Sequence, residues 1–440
     1  MSDVTYPPEL AIQPLAKLVN ATVTVPGSKS ITNRALVLAA LGSCNTSCTL
    51  TGVLRSEDTE VMVDCLQRLG FDVRPEWPVV RVFRHDAPPF VPAKSANLFV
   101  ANSGTTVRFL TALCAIGCGR YRLDGVPRMR ERPIEDLLAA LRQLGVNAYS
   151  EAGNGCPPVV IESDHFLPGG VVSIRADVSS QFLSGLLLVA PIQRDESLTI
   201  RVEGQRVSEP YIAMTEEMLR QWVIPFDRRE AESGREYVFE SGAGTSYGVL
   251  TDYAIEPDAS AASYFWAAAA VAGGRVTVSG LNRTSLQGDV RFVDVLAQMG
   301  CRVEECDAGI TVHGGPLRGI DVDMNDISDT VMTLGAVALF ADGPTAIRNV
   351  GHIRHKETDR IAALATELRK LGAEVEERPD GLTIHPRPLT GVAVETYNDH
   401  RMAMSLALVG LRVPGVIIRN PGCVAKTYPS FWQDFAALRG

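Results

Sequence analysis

Leu66-Gln67-Arg68-Leu69-Gly70 returns along the chain as Leu141-Arg142-Gln143-Leu144-Gly145, Leu296-Ala297-Gln298-Met299-Gly300 and Leu368-Arg369-Lys370-Leu371-Gly372. Each copy reads as the end of a helix, a glycine stop and the start of a strand. Met218-Leu219-Arg220-Gln221-Trp222 is a degenerate fifth copy, broken at Trp222-Val223, and the chain stops at Leu438-Arg439-Gly440. Six units account for nearly all 440 residues. Their period of roughly 75 residues exceeds that of the common solenoid repeats, which predicts a small α/β module with two helices in each unit.

A second marker shows where chemistry collects. Each unit carries an apolar helix rich in small residues that opens on polar side chains: 30–41, 103–113, 179–188, 258–265, 326–332 and 399–405. Helices apolar nearly all round are buried ones. Ser, Thr and Asp at their starts serve as N-caps. Lys29, Lys356 and Arg401 do not fit that role, because they set cations at the positive end of a helix dipole, at a cost of a few tenths of a kcal/mol each. An anion held among free helix N–H groups, Lys and Arg would reverse that cost.

With 46% hydrophobic and 21% charged residues, the chain reads as globular and long enough for two domains. Its net charge of −9 argues against nucleic acid as a partner, although the basic residues gather in motifs and predict a local positive site. No apolar stretch reaches the ~18 residues needed to span a membrane. The N-terminus Met1-Ser2-Asp3-Val4 lacks the basic and apolar regions of a signal peptide, so the cytoplasm is the expected compartment. The nine cysteines form no framework. Cys44/Cys48, Cys114/Cys118 and Cys301/Cys306 lack a second pair or histidines at finger-like distance, so reduced thiols and no metal site are expected.

The 25–34 stretch, Val25-Pro-Gly-Ser-Lys-Ser-Ile-Thr-Asn-Arg34, follows a β-rich run and opens a helix. It is not a Walker A loop, since Gly does not directly precede Lys29. Lys29 and Ser30 nevertheless sit at the helix mouth, with Arg34 one turn on and on the same side. A phosphate grip and a capped loop fit this peptide equally. Gly104, in Asn102-Ser-Gly-Thr-Thr106, lets a ligand approach the backbone, although a simple Ser/Thr cap also explains the motif. Pro127-Arg-Met-Arg-Glu-Arg-Pro133 concentrates three arginines suited to bidentate grip of carboxylate or phosphate. Ser179-Ser180-Gln181 and Ser208 add uncharged donors. Asp329 belongs to a helix-start cluster, 326–329, where one carboxylate would suffice as cap. His352 to Arg360 is the densest ionic stretch, with Lys356 and Arg360 expected on one helical face beside Glu357. Read alone, it fits an exposed, salt-bridged helix start. Tyr397–Arg401 and Ala425–Tyr428 complete the set. Recurrence at one phase of nearly every unit is the deciding signal, because units arranged about two pseudo-threefold axes would make those helix starts converge.

Pro26-Gly-Ser-Lys-Ser30, Asn102-Ser-Gly-Thr105, Arg128-Met-Arg-Glu-Arg-Pro-Ile134, Val178-Ser-Ser-Gln-Phe182, Lys356-Glu-Thr-Asp-Arg360 and Asp399-His-Arg-Met-Ala403 together resemble the signatures of 5-enolpyruvylshikimate-3-phosphate (EPSP) synthases. They stand in that family's order and spacing along essentially the whole chain. The resemblance implies an α/β fold of two domains, each of three βαβαββ repeats around a buried helix bundle, with the active site in the interdomain cleft. By analogy the domains are 26–253 and 1–25 plus 254–440. The implied reaction moves the enolpyruvyl group of phosphoenolpyruvate to the 5-hydroxyl of shikimate 3-phosphate, releasing phosphate, on the route to chorismate and the aromatic amino acids. No cofactor or metal, no nucleic acid and no membrane are implied, and the enzyme is expected to be monomeric.

Carried over by residue, Ser30, Arg34, Ser179, Ser180, Ser208, His352 and Lys356 would hold shikimate 3-phosphate. Gly104, Arg132, Arg360, Arg401 and Lys426 would hold phosphoenolpyruvate, and Lys29 and Gln181 would touch both. Asp329 would bind the ring and take the 5-hydroxyl proton, while Glu357 and Lys29 are the candidates for proton transfer at the methylene carbon. Two positions depart from the pattern: His352 stands where many members have Asn, and Phe109 follows Arg108 where many have Pro. The latter bears on the response to glyphosate, the family's inhibitor, which competes with phosphoenolpyruvate. The related transferase that uses a UDP-amino sugar characteristically carries a reactive Cys near 127–133, and this stretch has none. A non-catalytic anion-binding protein on the same scaffold would be expected to lack Asp329, Glu357 or one of the arginines, and all are present.

Overall fold

Twelve α-helices fall into six consecutive pairs in the computed structural model, which describes residues 5–42, 47–83, 90–164, 167–192, 196–231, 234–240 and 250–439. In chain order they are α1 (Lys29–Leu41) with α2 (Glu57–Arg68), α3 (Gly104–Cys114) with α4 (Glu135–Gln143), and α5 (Ser180–Val189) with α6 (Glu209–Gln221). Then come α7 (Ala259–Ala272) with α8 (Phe292–Met299), α9 (Val331–Ala338) with α10 (Arg360–Lys370), and α11 (His400–Gly410) with α12 (Phe431–Ala436). The first helix of each pair is almost wholly buried, as its apolar circumference requires. The second shows water one face.

Each pair of helices goes with one small sheet. In the clearest repeat, Ser95–Phe99 and Gly119–Asp124 run parallel, while Val159–Ser163 joins antiparallel and carries Asn147–Ser150 on its outer edge. The same order recurs at 170–239 and 321–385. The other three repeats borrow a strand from elsewhere in the chain. Asp252–Ala254 pairs parallel with Ser47–Thr51, Val19–Val23 with Gly274–Ser279, and Glu9–Ala11 runs antiparallel to Ile417–Arg419.

The repeated glycine stops have a backbone cause. Gly70, Gly145, Gly300 and Gly372 all adopt φ between 76° and 117°, a region that favours a residue without Cβ. The degenerate copy has no glycine there. Val223 takes φ 55° instead, a strained choice for a β-branched residue.

The chain divides into two compact units, Lys29–Ile255 and Met1–Ser28 with Glu256–Gly440. In the first, α1, α3 and α5 pack on one another; in the second, α7, α9 and α11 do. A chain of hydroxyls, Ser263 to Thr333 to Ser405 at 3.2 Å each, crosses the second trio.

Two local expectations need correction. The segment from Asp326 does not open an α-helix: Asn325–Thr330 is a 3-10 turn interrupted at Ile327 (φ −125°, ψ 39°), and α9 starts at Val331. Asn325 explains part of this, because its side chain is drawn to the Asn349 carbonyl at 2.9 Å. Lys356 and Arg360 likewise share no helical face. Gly351–His355 is a separate 3-10 turn, Lys356 lies beyond its end at ψ −149°, and Asp359 caps α10 afresh.

Among the described residues no helix is long and apolar enough to cross a membrane. Eight described cysteines are free thiols, and no His/Cys/Asp/Glu group suited to a metal occurs among the described residues. Cys44 lies outside them.

Candidate active site

In the unit of residues 29–255, the starts of α1, α3 and α5 are tied together by buried polar side chains. Asn33 donates to Thr105 at 2.7 Å, linking α1 to α3. Arg34 lies fully inside the unit. It donates to Thr215 (2.7 Å), Ser184 (3.2 Å), the Tyr211 carbonyl (3.0 Å) and the Ser30 carbonyl (2.9 Å), with its guanidinium 5.1 Å over the Phe109 ring. Burial pulls its pKa down to about 10, still high enough to keep the charge at neutral pH. Arg34 thus supports Ser30 from beneath and joins α1 to α5 and α6.

Lys29 opens α1, and its Nζ stands 3.5 Å from the buried carboxylate of Asp58 in the first turn of α2. That ion pair offsets the cost of a lysine at a helix N-terminus. Gly104 is the first residue of α3, behind the cap Ser103. A Cβ there would stand 2.5 Å from Arg132 Nη2 and 2.7 Å from Arg108 Nη1, so the absent side chain is what lets two guanidiniums approach the helix mouth. Arg132 is buried and donates to the Asn102 carbonyl at 2.9 Å. The three arginines of 127–133 therefore part company. Arg130 pairs with Asp124, Arg128 pairs with Glu131, and Arg132 is the one at the α3 start.

Ser179 caps α5 by accepting from the Gln181 amide at 3.2 Å. Ser180 follows it, and Gln181 Oε1 accepts from Arg108 Nη1 at 3.1 Å. Ser208 caps α6 in a left-handed conformation (φ 52°) and is buried.

The other unit gathers its charged side chains around Arg360, the first residue of α10, which is 1% exposed. Its Nε donates to Asp399 (2.8 Å), Nη1 to Asp329 (3.1 Å) and Nη2 to Glu357 (2.8 Å). Burial alone would lower its pKa, but Asp399, Glu357 and Asp329 more than compensate and raise it. Asp329 also accepts from Arg401 Nη2 at 2.6 Å, so its carboxylate lies between two guanidiniums. Arg401 reaches the Tyr264 hydroxyl at 3.4 Å, and burial pushes that phenol up to about 12. Lys426 Nζ stands 3.9 Å from Glu357.

His352 is buried, with Nε2 2.9 Å from Ser328 Oγ. Burial first, and then the nearby Lys356 ammonium, pull its pKa down to about 3, so the ring is neutral at physiological pH. His400, fully buried beside Asp399, is held neutral by burial and by Arg401.

The residues carried over as substrate ligands and catalytic groups thus divide between the two units. Lys29, Ser30, Arg34, Gly104, Arg132, Ser179, Ser180, Gln181 and Ser208 lie in the first; Asp329, His352, Lys356, Glu357, Arg360, Arg401 and Lys426 lie in the second. Sequence reasoning missed Asp58, Arg108 and Asp399. Asp399 carried a signal, an acid directly before His400-Arg401, but it passed for a plain cap. Asp58 sits among Glu57 and Glu60, with nothing local to say which acid turns inward.

Comparison with known proteins gives this arrangement a family. The sequence pattern of the family described as EPSP synthase (3-phosphoshikimate 1-carboxyvinyltransferase) matches residues 14–435. The chain belongs to that family. It is 47% identical over 428 residues to the 3-phosphoshikimate 1-carboxyvinyltransferase of Nostoc sp., covering 97% of this chain and 98% of that one. It is 43% identical over 434 residues to the enzyme of the same name from Shewanella baltica, covering 98% and 100%. The fold is similar to the solved structure of the EPSP synthase from Acinetobacter baumannii, with a TM-score of 0.77, 25% identity and 98% of each chain covered. The six-repeat α/β architecture is thus that of EPSP synthases.

Proposed function

We infer that this chain is a 3-phosphoshikimate 1-carboxyvinyltransferase, moving the enolpyruvyl group of phosphoenolpyruvate to the 5-hydroxyl of shikimate 3-phosphate and releasing phosphate. The observation that carries the reading is Asp329, a carboxylate held between Arg360 and Arg401. A base beside two cations suits a reaction in which a hydroxyl loses its proton next to a doubly anionic partner.

In the proposed sequence, Asp329 takes the 5-hydroxyl proton as that oxygen bonds to C2 of phosphoenolpyruvate, and C3 gains a proton to become a methyl group. The C2–O bond to phosphate then breaks, the methyl group loses a proton and the alkene re-forms. Lys29 and Glu357 are the groups for the two proton transfers at C3. Arg132, Arg360, Arg401, Lys426 and the backbone at Gly104 hold phosphoenolpyruvate. Ser30, Ser179, Ser180, Ser208, His352 and Lys356 hold shikimate 3-phosphate, with Arg34 bracing Ser30, while Lys29 and Gln181 serve both substrates. The chemistry asks for no metal or cofactor. We place the enzyme in the cytoplasm, a reading supported by its eight described free thiols, and take it to be a monomer.

Phosphate release measured with both substrates present, each alone, and a UDP-amino sugar as alternative acceptor tests the assignment. Release only with shikimate 3-phosphate and phosphoenolpyruvate together is expected. Release with the UDP-amino sugar, or none with either acceptor, would overturn it.

A further inference from the structure

Arg108 has no place among the substrate ligands above, yet it is 3% exposed and joined to three parts of the first cluster. Its Nη1 donates to Gln181 Oε1 at 3.1 Å and to the Gly104 carbonyl at 3.2 Å, and its Nη2 donates to the Pro133 carbonyl at 2.8 Å. The guanidinium lies 5.4 Å from the centre of the Phe182 ring. Thus one side chain on α3 touches the start of α5 and the residue that follows Arg132.

The chemistry of these contacts is directional. A guanidinium has N–H donors and no acceptor, so the Gln181 atom facing Arg108 has to be the amide oxygen. The amide nitrogen then points the other way. Gln181 is half-buried, and its Nε2 donates to no described residue. Without Arg108 the amide could turn over at little cost and present either its acceptor or its donors. The same side chain also engages the carbonyl of Gly104, in the first turn of α3, and anchors the backbone beside Arg132. Its positive charge, added to the helix start, favours an anion at this cluster.

We propose that Arg108 is a positioning residue that sets the polarity of the anion subsite: it locks Gln181 as a hydrogen-bond donor toward the substrates and holds the 132–133 backbone in place. This rests on the reading of Gln181 and Arg132 as substrate ligands. Arg108 itself touches no substrate in this assignment.

Four variants test it: Gln181→Ala, Gln181→Glu, Arg108→Met and Arg108→Lys. Each is followed by thermal unfolding and by kcat and KM for both substrates. Gln181→Glu keeps an acceptor for Arg108, so melting should match or exceed that of the parent, while KM for phosphoenolpyruvate rises about ten-fold or more as a carboxylate replaces a donor. Arg108→Met should also raise that KM, with a smaller change in kcat. Arg108→Lys, which keeps a charged donor, should restore part of the loss.

If Gln181→Ala leaves both KM values unchanged, Gln181 is no ligand and the underlying reading fails. If Gln181→Ala is impaired but Gln181→Glu performs like the parent, the amide presents its oxygen and the proposed orientation is wrong. Should Arg108→Met lower only the melting temperature, with KM intact, Arg108 is structural and nothing more. Should Arg108→Met not fold, the Gln181→Glu result still decides the orientation.

Discussion

In residues 29–255, Arg34 and Arg108 donate to hydroxyls, an amide oxygen and backbone carbonyls, and Arg132 reaches the Asn102 carbonyl. In the other unit, Arg360, Arg401 and Lys426 meet the carboxylates of Asp329, Asp399 and Glu357. The two clusters therefore stand differently towards an anion. The hydrogen bonds described for Arg34, Arg108 and Arg132 go to neutral acceptors, which do not compete by charge with an incoming phosphate or carboxylate. Guanidiniums already paired with carboxylates gain less, because the ligand competes with Asp329. In the proposed reaction the second cluster also supplies the acid–base groups Asp329 and Glu357. Cations at helix starts mark both clusters, but their described partners differ: neutral acceptors for Arg34, Arg108 and Arg132, carboxylates for Arg360 and Arg401.

The largest expected effect separates those roles. Asp329→Asn should lower turnover by about 10²–10⁴-fold, the usual cost of losing a general base. Binding of both substrates, followed by calorimetry, should persist. Retention of more than about a tenth of turnover would remove Asp329 from the role of base.

Stability should distinguish the clusters next. Arg360→Met leaves Asp329, Asp399 and Glu357 facing one another without the shared cation, and about 3–5 kcal/mol is expected from breaking a buried ion pair on one side. Arg34→Met strands hydroxyls and carbonyls only, for about 1–3 kcal/mol. Urea unfolding of the two variants measures the contrast, and equal losses would mean that the carboxylates relax into water.

A smaller effect is expected at Gly104. The new Cβ of Gly104→Ala meets the mobile ends of Arg132 and Arg108, not backbone, so the fold should survive while the arginines are displaced. KM for phosphoenolpyruvate should rise about ten-fold, and the inhibition constant of glyphosate should rise further. An equal loss for both ligands would indicate that only the backbone at Gly104 matters.

A separate test concerns pH. His352 has a folded pKa near 3 and an ordinary value in the unfolded chain, so between about pH 6.5 and 3 the unfolded state binds the extra proton. Stability therefore falls on acidification through that window, by up to about 1.4 kcal/mol per pH unit from this residue. His352→Asn should show a shallower slope than the parent below pH 6.5 in chemical unfolding, and the two should coincide above it. Identical slopes would mean that the ring is hydrated in the folded protein.

The helix starts and glycine stops were legible in the sequence because their causes are local. A cap, a positive φ or an apolar circumference needs only a few neighbouring residues. The partners of the charged groups were not legible. Arg108 meets Gln181 across 73 positions, and Arg401 meets Asp329 across 72, a pairing set by how three helices pack. The same limit explains why Arg128, Arg130 and Arg132 looked alike. Only the inward turn of Arg132 against Gly104 tells them apart. The missed 3-10 turn at 325–330 has a related cause, since the side chain of Asn325 is satisfied by a carbonyl 24 residues away.

The strands borrowed at the start of the chain carry a consequence for synthesis. Glu9–Ala11 and Val19–Val23 leave the ribosome well before their partners at 417–419 and 274–278, which follow hundreds of residues later. At ordinary translation rates the earliest strand waits on the order of half a minute with its edge unpaired. Residues 29–255 form a contiguous unit and need no such wait. The nascent chain should therefore complete its middle first and its two ends last, with the N-terminal strands open to chaperones or to mispairing in the interval.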